Sequence, residues 1–76
     1  TTLSYELPEQ THVSLTIYDF VGREIVRLVN TTQGAGVKSI QWNATNNLGQ
    51  PVSTGLYFYT IQAGDFIQTK KVLLLK

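Results

Sequence analysis

The sequence predicts an all-β domain, two antiparallel sheets packed face to face, and three observations point there. Apolar residues alternate with polar ones in several short segments, the period of a strand with one buried face. Asn, Gly, Pro and Asp punctuate those segments at short intervals. No segment holds convincing helical spacing over a useful length.

Leu3, Tyr5 and Leu7 alternate with Thr2, Ser4 and Glu6, and Pro8 ends this first strand. After Glu9-Gln10-Thr11, the residues Val13, Leu15 and Ile17 alternate with Ser14, Thr16 and Tyr18, the clearest strand of the chain. Asp19-Phe20-Val21-Gly22 supplies a turn: an Asp side chain bonds the backbone two residues on, and Gly22 accepts a positive φ. Residues 23–30 are ambiguous, since Ile25, Leu28 and Val29 fit a helix while Val26 does not. Their brevity and β-branched content favour a strand with a bulge that changes the buried face. Residues 31–36 are expected as a loop of small residues, followed by a strand over residues 37–42 that puts Lys38, Ile40 and Trp42 on one face. Trp42 is the expected core plug.

The Asn/Gly/Pro loop after Trp42, which includes Gly49, leads through a possible short strand near Val52 to Gly55 and the aromatic strand Leu56-Tyr57-Phe58-Tyr59-Thr60-Ile61. Gly64-Asp65 is a two-residue hairpin turn, so Ala63 pairs with Phe66 and counting back sets Tyr59 against Lys70, Phe58 against Lys71 and Tyr57 against Val72. Two lysine-aromatic contacts are expected from this register. The end of the chain, Lys70-Lys71-Val72-Leu73-Leu74-Leu75-Lys76, loses strict alternation. Four consecutive apolar residues in a half-buried strand send about half their side chains outward. They suit either a central, covered strand or a recognition edge. The whole reads as an immunoglobulin-like or fibronectin-type antiparallel sandwich of about seven strands.

The 76 residues, at 42% apolar and 14% charged, suit one small folded domain, 1–76. A formal net charge of +1 gives no broad basic face for nucleic acid. Cysteine is absent, so neither a disulfide nor a thiolate metal site is available. The longest apolar run falls far short of the roughly 20 residues of a membrane-spanning helix. The chain opens without Met in strand-like sequence, which reads as a module of a longer polypeptide whose export signal lies elsewhere.

Catalysis finds no constellation. His12 is the one histidine and reads as a solvated residue at a strand entrance, while Asp19 and Asp65 are turn residues. Ser53 and Thr54 lack a base and an oxyanion framework. The loop after Trp42 offers neutral amides rather than the carboxylates a hard cation wants, so no metal and no cofactor are expected. Asn30-Thr31-Thr32 and Asn43-Ala44-Thr45 match the N-glycosylation pattern and read as loop vocabulary.

The order YELPEQTHVSLTIYDFVGREIVRLVN, AGVKSIQWN, GQPVSTGLYFYTIQAGDF and KKVLLLK resembles the type A C-terminal sorting domain of the bacterial type IX secretion system over essentially the whole chain. Ile17-Tyr18-Asp19 with Gly22-Arg23-Glu24, the Gly55-Leu56-Tyr57 opening and the lysine-bearing apolar end carry the likeness. The resemblance implies a non-catalytic module attached to an N-terminal cargo, exported through the periplasm to the outer-membrane surface or beyond, with the secretion machinery as partner. Lys70, Lys71, Val72, Leu73, Leu74, Leu75 and Lys76 would then contact that partner. The family often has Trp-Asp-Gly where this chain has Trp42-Asn43-Ala44, and an aspartate near Asn46 or Asn47.

The Gly55-Leu56-Tyr57-Phe58 strand and the Asn/Gly loop are also similar to the immunoglobulin-like domain of flagellar hook-capping proteins, which implies a structural assembly module as the alternative, the lysine-and-leucine end favouring sorting. A third class is an accessory carbohydrate-binding sandwich with Tyr18, Phe20 and Tyr59 as a stacking platform.

Overall fold

A computed structural model of the chain describes residues 1–75; the expectation for Lys76 lies outside the described residues. Alternation is realised in six strands: β1 (Thr2–Leu7), β2 (Thr11–Asp19), β3 (Glu24–Gln33), β4 (Gly36–Gln41), β5 (Gly55–Ala63) and β6 (Phe66–Leu74). β1 and β4 form one antiparallel sheet, and a second has the order β3-β2-β5-β6. Leu3, Tyr5, Leu7 and Trp42 from the first layer meet Val13, Leu15, Ile17, Tyr57, Tyr59, Ile61, Val72 and Leu74 from the second in a single core. This is an all-β, immunoglobulin-like sandwich. Tyr59 Oη donates to the Ser4 carbonyl oxygen at 3.2 Å and Tyr5 Oη to Gln33 Oε1 at 2.6 Å, so each phenol satisfies its polar tip by bonding across the layers.

Trp42 is 1% exposed. Its ring meets Tyr57 edge-on, with centroids 5.2 Å apart, and its Nε1 donates to the Thr45 carbonyl at 2.9 Å. Ile40, expected in the core beside it, is half-buried and packs against the rim of the cluster.

The expected bulge is present. The β2-β3 register shifts between Leu15 and Thr16 and again between Ile17 and Tyr18, which lets Val26 and Val29, three apart, both reach the core. The helix-like spacing in the sequence is the imprint of those shifts.

Two expectations are corrected and one alternative is decided. Residues 31–36 are not a loop: β3 continues to Gln33 and β4 starts at Gly36, because the long β2 offers partners for Thr31, Thr32 and Gln33 through to Thr11. No seventh strand forms near Val52; the region holds one isolated bridge, Thr45 to Pro51, since proline has no N–H with which to extend a ladder. β6 is an edge strand rather than a central one.

The β5-β6 register matches the count from Gly64-Asp65 at every position, from Ala63 with Phe66 to Leu56 with Leu73. Lys70 and Lys71 lie opposite Tyr59 and Phe58 as expected, yet the ring contact formed among the described residues is Trp42 with Tyr57. Tyr59 turns its face into the core, which leaves no open ring surface for an ammonium group.

Candidate partner-binding surface

Two features stand out on the exterior: the turn that closes β2 onto β3, and the edge strand β6. At the turn, Gly22 N–H donates to the Asp19 carbonyl at 3.0 Å, with Gly22 at φ 91°. Asp19 is the last residue of β2 and its side chain is only 11% exposed. Oδ1 accepts from Val21 N–H at 3.1 Å and Arg23 N–H at 2.9 Å, while Oδ2 accepts from Arg23 Nε at 2.9 Å. Burial pushes this carboxyl up, but the Arg23 backbone and side-chain bonds, the Arg23 charge and the Val21 bond together hold it below its ordinary value. Asp19 and Arg23 thus brace the turn. The Arg23 side chain is otherwise 80% exposed and overhangs an open cleft of about 360 Å³, lined also by Phe20, Val52, Ser53 and Leu56.

The loop after Trp42 has a structural task that its sequence disclosed only in part. Asn46 Oδ1 accepts from Leu48 N–H at 2.9 Å and Gln50 N–H at 3.0 Å, a side chain standing in for backbone, and Gly49 supplies φ 77°. This arrangement aims Asn47 at β3. Asn47 N–H donates to the Ile25 carbonyl at 3.1 Å, its Oδ1 accepts from Arg27 N–H at 3.2 Å, and its Nδ2 donates to Glu24 Oε2 at 3.3 Å. The outer edge of β3 is therefore capped along part of its length. Asn is ordinary turn vocabulary, so nothing in its spacing announced that role. Ala44, where the sorting-domain family often has glycine, sits at φ 62°, an unfavourable conformation for a residue with a Cβ.

Among the described residues β6 has no such cap: its ladder there is to β5 alone. Val72 and Leu74 are buried, whereas Leu73 is 63% and Ile67 62% exposed. Ordinary alternation thus explains the apolar run, with Leu75 also exposed beyond the strand. On the outer face Leu73 pairs with half-exposed Leu56, and Lys71 pairs with Phe58. The ion pairs among the described residues join Arg23 to Asp19 and Arg27 to Glu24, so neither Lys70 nor Lys71 has a carboxylate partner there.

The remaining candidates do not converge. His12 is the second residue of β2, exposed, with Nε2 2.9 Å from Asn30 Oδ1 rather than near a carboxylate. Ser53 offers its carbonyl to Tyr57 Oη at 2.6 Å. Tyr18, Phe20 and Tyr59 do not form one platform. Tyr59 lies opposite Ile17 on the core side and burial raises its phenol pKa, whereas the neighbouring Tyr18 points to the other face. Among the described residues no cluster of three or more His, Asp or Glu side chains is placed to hold a metal ion. No described helix is long and apolar enough to cross a membrane.

The family model of the FlgD Ig-like domain matches residues 1–65. The chain belongs to the FlgD Ig-like domain family. The crystal structure of FlgD from P. aeruginosa resembles this Ig-like domain with a TM-score of 0.77 and 25% sequence identity, over 92% of this chain and 55% of that one. The domain thus spans about half the length of the solved relative. No curated protein matches the chain. The likeness to a hook-capping domain stated from the sequence is supported by these findings; the likeness to a type IX sorting domain gains nothing from them. The family match stops at the β5-β6 turn, so β6 lies beyond the matched residues.

Proposed function

We propose that this FlgD Ig-like domain is a non-catalytic assembly module that holds a protein partner through the β5-β6 side of its larger sheet. The observation that carries the reading is the family match over residues 1–65, joined to a single buried apolar core between the two sheets. Such a sandwich works through its surface. The outer row of Leu56, Phe58, Lys71 and Leu73 supplies apolar area for burial and a cation for orientation.

A second reading is export sorting by the type IX machinery, with an N-terminal cargo carried through the periplasm to the outer-membrane surface. It is favoured by exposed Leu73 and Leu75 near Lys70 and Lys71 in a segment outside the family match. One experiment separates the two. In the parent polypeptide, Leu73→Asp is expected to abolish incorporation into its protein assembly while the domain stays folded. The intact domain fused to a periplasmic reporter in a type IX-competent bacterium should leave that reporter in the periplasm. Surface delivery of the reporter, lost on Leu73→Asp, would replace assembly by sorting. Normal assembly by the folded variant and no delivery would dismiss the outer row as the contact.

A further inference from the structure

The exposed strands of a sheet are templates for another chain, and natural proteins cover, shorten or charge them. In this larger sheet the two edges are treated differently. Asn47 caps β3. β6 runs nine residues, pairs with β5 alone, and exposes Phe66, Ile67 and Leu73 along its length. The strands of the smaller sheet, β1 and β4, are six residues each; Leu3, Tyr5 and Leu7 of β1 are buried, and Val37 is the one large apolar side chain that β4 exposes.

From this asymmetry we infer that β6 accepts an added strand from a different protein, an extended segment with two consecutive carboxylates flanked by β-branched residues. The inference rests on the assembly reading above and names the mode of contact. Main-chain bonds to the open edge supply affinity, and side chains opposite Lys70 and Lys71 supply choice. The two lysines sit on opposite faces of the pleat, so consecutive acidic residues meet one each. Beyond them Val72, Leu73 and Leu74 offer apolar neighbours on both faces.

The same lysines argue against a second copy of this chain as the occupant. β6 spans residues 66 to 74, so Lys70 is its midpoint. Two copies overlapped in full about a two-fold axis place Lys70 directly opposite Lys70, and a slip of one residue towards the end of the strand places Lys70 opposite Lys71 twice. Like charges directly opposite are destabilising. The edge repels its own kind and attracts the opposite charge, both of which specificity requires.

The test uses the whole chain and two labelled peptides as long as β6, built of valine and threonine, one with two central glutamates and one with two central lysines. Anisotropy gives affinity, and amide exchange read by NMR locates the contact. The glutamate peptide is expected to bind at least about tenfold more tightly than the lysine peptide. It should slow exchange at β6, and added salt should weaken it. Lys70→Glu with Lys71→Glu should invert the preference, a gain for the lysine peptide that a misfolded variant cannot produce. The wild-type chain is expected to be monomeric, and Lys70→Thr with Lys71→Thr should make it self-associate.

Equal affinity for the two peptides, no binding, binding that leaves β6 exchange unchanged, or a wild-type chain already dimeric through β6 would each overturn the inference. If the peptide test fails while Leu73→Asp still abolishes assembly, the contact is on the outer face, and the assembly reading survives without strand addition. If strand addition holds while Leu73→Asp assembles normally, the edge of β6 is the contact and the outer face is not.

Discussion

Replacing Trp42 tests the core most severely, because one side chain joins both layers. The indole is fully buried, meets Tyr57 edge-on at 5.2 Å, and gives its N–H to the Thr45 carbonyl at 2.9 Å. Trp42→Ala removes the packing, expected to cost about 3 to 5 kcal/mol. The ring pair and the orphaned carbonyl fall within that figure rather than adding to it, since neighbouring terms are not additive. A domain of this length has a total stability of roughly 4 to 11 kcal/mol at the usual value per residue. The variant is therefore expected to be largely unfolded or to unfold at much lower denaturant. Trp42→Phe keeps a ring against Tyr57 but leaves the Thr45 carbonyl without its indole donor, a loss of about 1 to 3 kcal/mol. Urea titration followed by far-ultraviolet circular dichroism reads both variants without depending on the lost fluorophore. If Trp42→Ala fell within about 1 kcal/mol of wild type, the assignment of the indole to the centre of the core would be wrong.

Three further outcomes follow from the same structure. The Asp19 carboxyl is held below its ordinary value in the folded state, so its contribution is full above the ordinary aspartate range and is lost as pH falls through the lowered folded pKa; Asp19→Asn should flatten that acid limb in melts taken across pH. Ala44→Gly relieves a φ of 62° and should raise stability by about 0.5 to 1 kcal/mol in urea titration, a result that a neutral or destabilising effect would contradict. Leu74→Ala should cost about 2 to 5 kcal/mol and its neighbour Leu73→Ala no more than about 0.5, because only the first enters the core; equal costs by thermal melting would mean that β6 does not alternate as described.

Strand identity and the β5-β6 register were legible in the residues, because both are local properties. A period of two marks a half-buried strand wherever it occurs, and Gly64-Asp65 fixes a two-residue turn from which every pair is counted. Trp42 as the plug followed from its size and its place on an apolar face. The Asp19 turn was legible for the same reason, since its bonds to Val21 and Arg23 span only a few residues.

Tertiary structure decided the rest. Whether Val72 to Leu74 belongs to a central or an edge strand depends on what pairs beyond β6, and no local pattern encodes that; among the described residues no strand does. The reach of β3 to Gln33 was set by the length of β2, not by its own polar residues. Asn47 became the cap of β3 only because β4 and the Asn46 turn carry the loop across the sandwich to a strand some twenty residues earlier in sequence. Tyr18 and Tyr59, grouped from the sequence as candidates for one stacking platform, lie on opposite faces through pairing across β2 and β5. Local periodicity specifies which side of a strand is buried, but it carries no information about which strand stands next to it, and at β6 that neighbour determines what surface remains for a partner.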